Sequence, residues 1–211
     1  MNQVILFLCS FGIIILLKQN SLIRIIISKL RYLFATIHRH TIIYSIKLNG
    51  KYLKDTRISN STVIENEHNL VLGENVFIGH FNFIEASNKV TIEEGCQITN
   101  FISILSHSSH NAIRIYGNRY RYEKDLKTYV KGEILIGKYS FIGPHALIMP
   151  STKIGNGSIV QAYSYVKGTF PDFSIIGGNP ARIVGDTRKF DERLLRQYPE
   201  LTKFYEEWAK N

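Results

Sequence analysis

The sequence predicts a mainly β chain wound as a solenoid of short parallel strands, and three observations carry that reading. The stretch ILIGKYSFIGPHALIMPSTKIGNGSIVQAYSYVKG places an aliphatic residue at every sixth position: Ile136, Ile142, Ile148, Ile154, Val160 and Val166. Gly137, Gly143 and Gly155 each follow such a residue, and Gly73 and Gly79 hold the same phase in an earlier array of Leu72, Ile78 and Ile84. Ile92, Ile98 and Ile104 then continue the period after a slip of two residues. A period of six matches neither a helix nor the alternation of an ordinary strand. It fits coils in which each short strand sends one aliphatic side chain inward. Glycine after that residue permits the tight corner to the next face.

The rest of the chain divides around these arrays. With 211 residues and 45% hydrophobic content, the chain suits one domain with a small appendage. That apolar content excludes intrinsic disorder, and two cysteines exclude a disulfide scaffold. Cys9 lies in an apolar run and Cys96 at a core-like position, so both read as reduced, inert thiols. No Cys-x-x-Cys pair offers a zinc or redox site.

The formal charge of +9 is unevenly distributed. Residues 1–57 hold nine Lys/Arg and one acid, Asp55, whereas residues 58–211 hold seventeen Lys/Arg against sixteen Asp/Glu. The basicity therefore belongs to an N-terminal segment, 1–57, which is also rich in Ile, Leu and Phe. That combination points to an anionic membrane surface and away from nucleic acid. Residues 4–17 (VILFLCSFGIIILL) are short of the roughly 20 apolar residues a spanning helix needs. No Lys or Arg precedes them, and Lys18-Gln19-Asn20 is a poor cleavage site, which argues against a removable signal. Residues 22–37 mix apolar positions with Arg24, Lys29 and Arg31, as an interfacial amphipathic helix does. The positive-inside rule then assigns the chain to the cytoplasmic face of the inner membrane, peripherally or N-terminally anchored.

The main domain spans 58–185. Its period stops at Ile104 and resumes at Ile134, and the polar, aromatic stretch between them cannot join a solenoid core, so 106–133 is expected to leave as an excursion. After Val166 the strands are broken by Pro171, Gly177, Gly178 and Pro180. Residues 186–211 turn helical, with Leu194, Leu195, Tyr198, Leu201, Phe204, Tyr205 and Trp208 on a helical spacing that Pro199 divides. A helix over the open end supplies the cap that repeat proteins need.

Taken together, the hexad arrays over roughly 58–185 and the segment Ile176-Gly177-Gly178-Asn179-Pro180-Ala181-Arg182 resemble the hexapeptide-repeat acyltransferases, specifically the bacterial sugar O-acetyltransferases. The resemblance implies a left-handed parallel β-helix, acetyl-coenzyme A as co-substrate with no metal, and a homotrimer with active sites between subunits. In such enzymes the Gly-Asn-Pro-Ala-Lys/Arg segment lies beside the coenzyme, which assigns Gly178, Asn179, Pro180, Ala181 and Arg182 to cofactor binding. The glycines would offer backbone N–H groups to anions, and Arg182 a charge for phosphate. Ala162 and Ser164 match the small residues and serine that commonly precede this segment, while Tyr163 departs from it. Lys167 is a further phosphate candidate.

A histidine near the start of the excursion acts as general base in similar enzymes. This chain offers Ser106-His107-Ser108-Ser109-His110-Asn111. His110 is nearest the usual pattern by position, and His107 is the second choice, as base or substrate contact. Neutral imidazole can take the proton of an acceptor hydroxyl as it attacks the thioester. Asn82 and Glu85, one coil earlier, are candidate substrate neighbours, as are Arg114 and Tyr116 in the excursion. The implied reaction is transfer of acetyl to a hydroxyl of a surface polysaccharide such as a capsule, O-antigen or lipid-linked precursor. N-acetylation of an amino sugar would use the same machinery. His80, His107, His110 and His145 also raise the γ-class carbonic anhydrases, which share the fold, although His107 and His110 are three apart where those metal ligands are typically five apart.

Overall fold

A computed structural model describes residues 25–30 and 39–210. The apolar run at 4–17 lies outside the described residues. The chain divides into two units, residues 1–40 and 41–211. In the first, residues 25–30 are helical with Ile25, Ile26 and Leu30 exposed. Among the described residues no helix is long and apolar enough to cross a membrane.

The second unit is a three-sided parallel β-helix. Strands of two or three residues stack into three sheets, one per side. One coil runs from Phe77–Ile78 on the first side to Phe83–Glu85 on the second and Val90–Ile92 on the third. The next coil repeats this with Gln97–Ile98, Ser103–Leu105 and Ile134–Ile136. Registers are parallel throughout: Ile78 faces Ile98, Ile84 faces Ile104, and Ile92 faces Ile136. The six-residue aliphatics are therefore stacked columns, and Ile136, Ile142, Ile148, Val160 and Val166 are all fully buried.

The slip of two residues has a local cause. The corner between the second and third sides carries Ala86, Ser87, Asn88 and Lys89, and Glu85 folds its carboxylate back onto Ser87 N–H at 2.6 Å. At this same corner the excursion departs after Leu105. It contains a short antiparallel pair, His107–Ser108 with Val130–Lys131, and a helix, His110–Tyr116. The helix and the returning strand were not foreseen within the expected 106–133 excursion. The parallel ladder resumes at Ile134 opposite Val90, so the stack passes the insertion without loss of register.

The expected boundary at 57 falls inside a strand. Ile42–Leu48 and Lys51–Ser59 form an antiparallel hairpin, and the second strand continues in parallel onto Phe77–Ile78. Leu48 and Leu53 are buried in the core, so residues 41–57 belong to the β unit and not to a helical N-terminal segment. Ile46, Leu48 and Leu53 turn toward the core from this stretch, which adds to the edge that the first coil offers.

At the other end, Ser174–Gly178 pairs antiparallel with Ala181–Asp186, and the helices Arg188–Gln197 and Thr202–Ala209 follow. Trp208 keys the cap into the corner between the third and first sides. Its ring lies 4.7 Å from the Tyr139 centroid and 5.9 Å from that of Phe173, over Gly157, where a Cβ would meet Trp208 at 2.8 Å.

Candidate active site

Sheet geometry brings Glu85, one coil earlier in the chain, beneath the first residues of the excursion. Glu85 pairs with Leu105 in register, and Ser106 N–H donates to Glu85 O at 3.1 Å. The Glu85 side chain is buried. Its Oε2 accepts from the Ser106 hydroxyl at 2.8 Å and stands 2.7 Å from His107 Nδ1. Ser87 Oγ is also 2.9 Å from Nδ1. The Tyr129 ring, brought back by the returning strand, stacks on the imidazole with centroids 5.2 Å apart.

The electrostatics of this group follow from its partners. Burial pushes the Glu85 carboxyl up, but hydrogen bonds from Ser87 and Ser106 and the charge of His107 outweigh it and hold the group below the ordinary range. Glu85 is thus a carboxylate, an acceptor only, and His107 donates its Nδ1–H to it. That fixes the tautomer and leaves Nε2 with a free lone pair. Burial, followed by the charges of Tyr120 and Glu85, raises the Tyr129 phenol.

His110, the first choice from the sequence, is exposed at the start of its helix, with Nδ1 2.8 Å from the Ser108 hydroxyl. Among the described residues no buried carboxylate orients it. Asn82 is corrected from substrate contact to structural brace: it is buried, its amide donates to Gly79 O and Thr99 O, and its oxygen accepts from Ile102 N–H. Glu85 likewise holds His107 and not a substrate. Tyr116 braces the excursion through Asp125 O and Lys127 N–H, and Arg114 is exposed and bonded to Asn111. Tyr129, Ser87 and Ser106 were missed. The available signal was the coil length of about 20 residues, which stacks Glu85 under Leu105 and its neighbours.

The second cluster lies elsewhere on the prism. Val160 faces Ile176, so Ala162 lies in register with Gly178, and Tyr163 lies one coil below Asn179 at the corner between the first and second sides. Gly178, Asn179, Pro180, Arg182 and Ala162 are exposed, while Ala181 is buried. A Cβ on Gly178 would meet only Pro180 O at 3.5 Å, so the backbone here is open to approach. The Asn179–Pro180 peptide is cis. Ser164 is corrected as a cofactor contact: it is buried, and its hydroxyl donates to Gln161 O at 2.8 Å. Lys167 follows Val166 at the corner between the second and third sides, away from this segment.

A column of stacked rings runs down from Asn179. Tyr163, His145, Phe101 and Phe81 occupy the same corner on four coils, with centroid spacings of 4.7, 5.0 and 5.1 Å. All four have φ near +60°, the left-handed region side chains rarely adopt. His145 is therefore part of a stacked column, and His80 bonds Ser59. The four candidate histidines do not converge, and among the described residues no group of three His, Cys, Asp or Glu is placed to hold a metal.

The three-sided parallel β-helix and its six-residue columns resemble the hexapeptide-repeat transferases in fold. Residues 133–168 match the family model described as bacterial transferase hexapeptide (six repeats). The chain is 38% identical over 71 residues to a Bacillus subtilis protein named as the acetyltransferase YvoF, covering 34% of this chain and 41% of that one. It is 27% identical over 117 residues to Escherichia coli WbbJ, named for lipopolysaccharide-biosynthesis O-acetyl transfer, covering 54% and 59%. The chain thus spans about half the length of the curated relatives it matches. Among solved structures, a galactoside acetyltransferase in complex with coenzyme A superposes with a TM-score of 0.53 at 23% identity, covering 62% of each chain, which establishes the shared fold.

Proposed function

We propose that this protein transfers acetyl from acetyl-coenzyme A to a sugar hydroxyl of a bacterial surface polysaccharide. The observation that carries the reading is the Glu85–His107 pair, with Nδ1 and Oε2 at 2.7 Å. The carboxylate holds the ring by Nδ1, so Nε2 accepts the hydroxyl proton while the acceptor oxygen attacks the thioester carbonyl. The tetrahedral species collapses by breaking the C–S bond, and the imidazolium returns its proton to the departing thiolate. Glu85 stabilises the imidazolium between those two steps. No covalent enzyme intermediate is required. The base is His107, not His110.

Coenzyme A is assigned to Ala162 and the exposed Gly178, Asn179, Pro180 and Arg182. The open glycine backbone and a guanidinium suit its phosphates. Support also comes from the relatives, one named for O-acetyl transfer in lipopolysaccharide biosynthesis and one structure with coenzyme A bound. His107 and the Gly178–Arg182 segment lie at different corners of the prism, separated by the second side. That separation favours a homotrimer in which one copy presents His107 to the coenzyme of its neighbour. The basic, apolar residues 1–40 favour work at the cytoplasmic face of the inner membrane, where lipid-linked glycans are assembled.

The test is acetyl-coenzyme A binding by calorimetry, followed by thiol release over a panel of sugars and amino sugars. Binding with hydroxyl-dependent turnover that His107→Ala removes is the expected result. Turnover confined to amino sugars would move the reaction to N-acetylation, and absence of coenzyme binding would overturn the proposal.

A further inference from the structure

The hairpin that opens the β unit has two faces of different character. Leu48 and Leu53 point into the core, with Ile46 packed against it. Lys47 pairs across the strands with Tyr52, and Tyr44 with Arg57, placing both pairs on the outward face. Tyr44 is 68% exposed and Tyr52 60%, and among the described residues no other element covers them. Lys47 and Lys54 are exposed beside them, while Lys51 pairs with the buried Leu48 and belongs to the other face.

The face is also shaped. Tyr44, Ser45, Lys54, Asp55, Arg57 and Asn75 line an open depression of about 600 Å³. Within it the Arg57 Nε is buried without a hydrogen-bond partner, while its guanidinium lies over the Phe77 ring at 5.4 Å. Asp55 is the one carboxylate of the hairpin, against four cations.

We propose that this outward face docks on an anionic phospholipid bilayer. The inference rests on the membrane reading above and moves the contact onto the folded enzyme itself. Lipid phosphates would pair with Lys47, Lys54 and Arg57. Tyr44 and Tyr52 match the headgroup depth, where an apolar ring with a polar tip is favoured. Chain continuity points the same way: the hairpin begins directly after residues 1–40, which hold five Lys/Arg and no acid.

Exposed lysines also protect edge strands from pairing with other chains, and the experiment separates the two roles. The full chain is mixed with vesicles of phosphatidylglycerol and phosphatidylcholine, or of phosphatidylcholine alone, and amide exchange is followed alongside pelleting. Among the described residues, strand Ile42–Leu48 has a partner on one side only, so its amides report coverage. Expected is roughly tenfold slower exchange over residues 42–54 on the anionic vesicles only, lost in a Lys47→Glu/Lys54→Glu variant. A Tyr44→Ser/Tyr52→Ser variant, which keeps the charges, should lose part of the protection, and peptides across 134–166 should stay unchanged in both. A chain that pellets with its hairpin unprotected overturns this proposal and leaves the membrane reading to residues 1–40. A chain that does not pellet overturns both. Protection that needs no lipid and rises with protein concentration means a second copy covers the face, which also overturns it.

Discussion

Glu85 Oε2 and His107 Nδ1 stand 2.7 Å apart although a whole coil of the prism separates them in sequence. Stacking of coils, not local sequence, makes the pair. Ser106, Ser87 and Asn66 occupy the rest of the carboxylate, so the imidazole meets a fixed, desolvated acceptor. His110 meets the Ser108 hydroxyl, which imposes no tautomer. His107→Ala should therefore lower turnover by roughly 100-fold or more with binding of acetyl-coenzyme A retained. His110→Ala should stay within a few-fold of the parent. Steady-state rates of both variants decide it, and the reverse ranking would return the base to His110.

Glu85→Gln tests the positioning directly. An amide presents a donor where the carboxylate accepts, so the ring would turn to the other tautomer and Nε2 would lose its lone pair. Turnover should fall on the order of 100-fold, by analogy with carboxylates that orient catalytic imidazoles. The same variant has a signature in stability. The folded carboxyl is held below its unfolded value, so it stabilises the native state above the ordinary carboxylate range. That contribution is lost as pH falls through the folded value. Denaturation midpoints between pH 3 and 7 should show a shallower acid decline in Glu85→Gln than in the parent, and parallel curves would refute the assignment.

The columns were legible because each side of the β-helix sends an aliphatic side chain inward on every coil, and chain order preserves that spacing, although the third side sends two where Val90 and Ile92 are both buried. Ile78, Ile84, Ile92, Ile98 and Ile104 all reach full burial, as the hexads require. The hairpin was not legible. Its Ile and Lys residues continue the composition of the segment before it, and only the exposed edge of the first coil converts them to strands. The site was half legible. His107 and His110 were found from their place at the excursion, but their ranking depended on Glu85, whose partner is set by a vertical register. Ser164 looked like a cofactor serine by motif, whereas its place beneath the corner turns the hydroxyl onto Gln161 O.

Glycine at the hexad phase is a packing requirement and should respond to a single methyl. A Cβ on Gly137 would lie 2.7 Å from Asn156 N and 2.8 Å from Gly155 C. Both are backbone atoms of the next coil, held by Gly137 N–H to Ile154 O at 2.8 Å, so neither can move aside without parting the coils. Gly137→Ala should cost about 1–3 kcal/mol by overpacking. Thermal or urea unfolding measures it, and an unchanged midpoint would mean the coils separate more easily than their hydrogen bonds suggest.

The thiol of Cys96 bears on whether acetyl passes through the enzyme. It is fully buried in the core, with Sγ 3.0 Å from Gly137 O, and burial pushes it up to about 12, with a backbone hydrogen bond at Ser140 opposing and Glu93 reinforcing the shift. At pH 8 its thiolate fraction is on the order of one part in 10,000, far too small for a nucleophile. In a Cys9→Ser background, native protein at pH 8 should therefore resist a chromogenic disulfide reagent and label stoichiometrically in denaturant. Prior treatment with a maleimide should leave acetyl transfer intact. Rapid labelling of the native chain with loss of activity would place a reactive sulfur at the site and demand a two-step mechanism in place of direct attack assisted by His107.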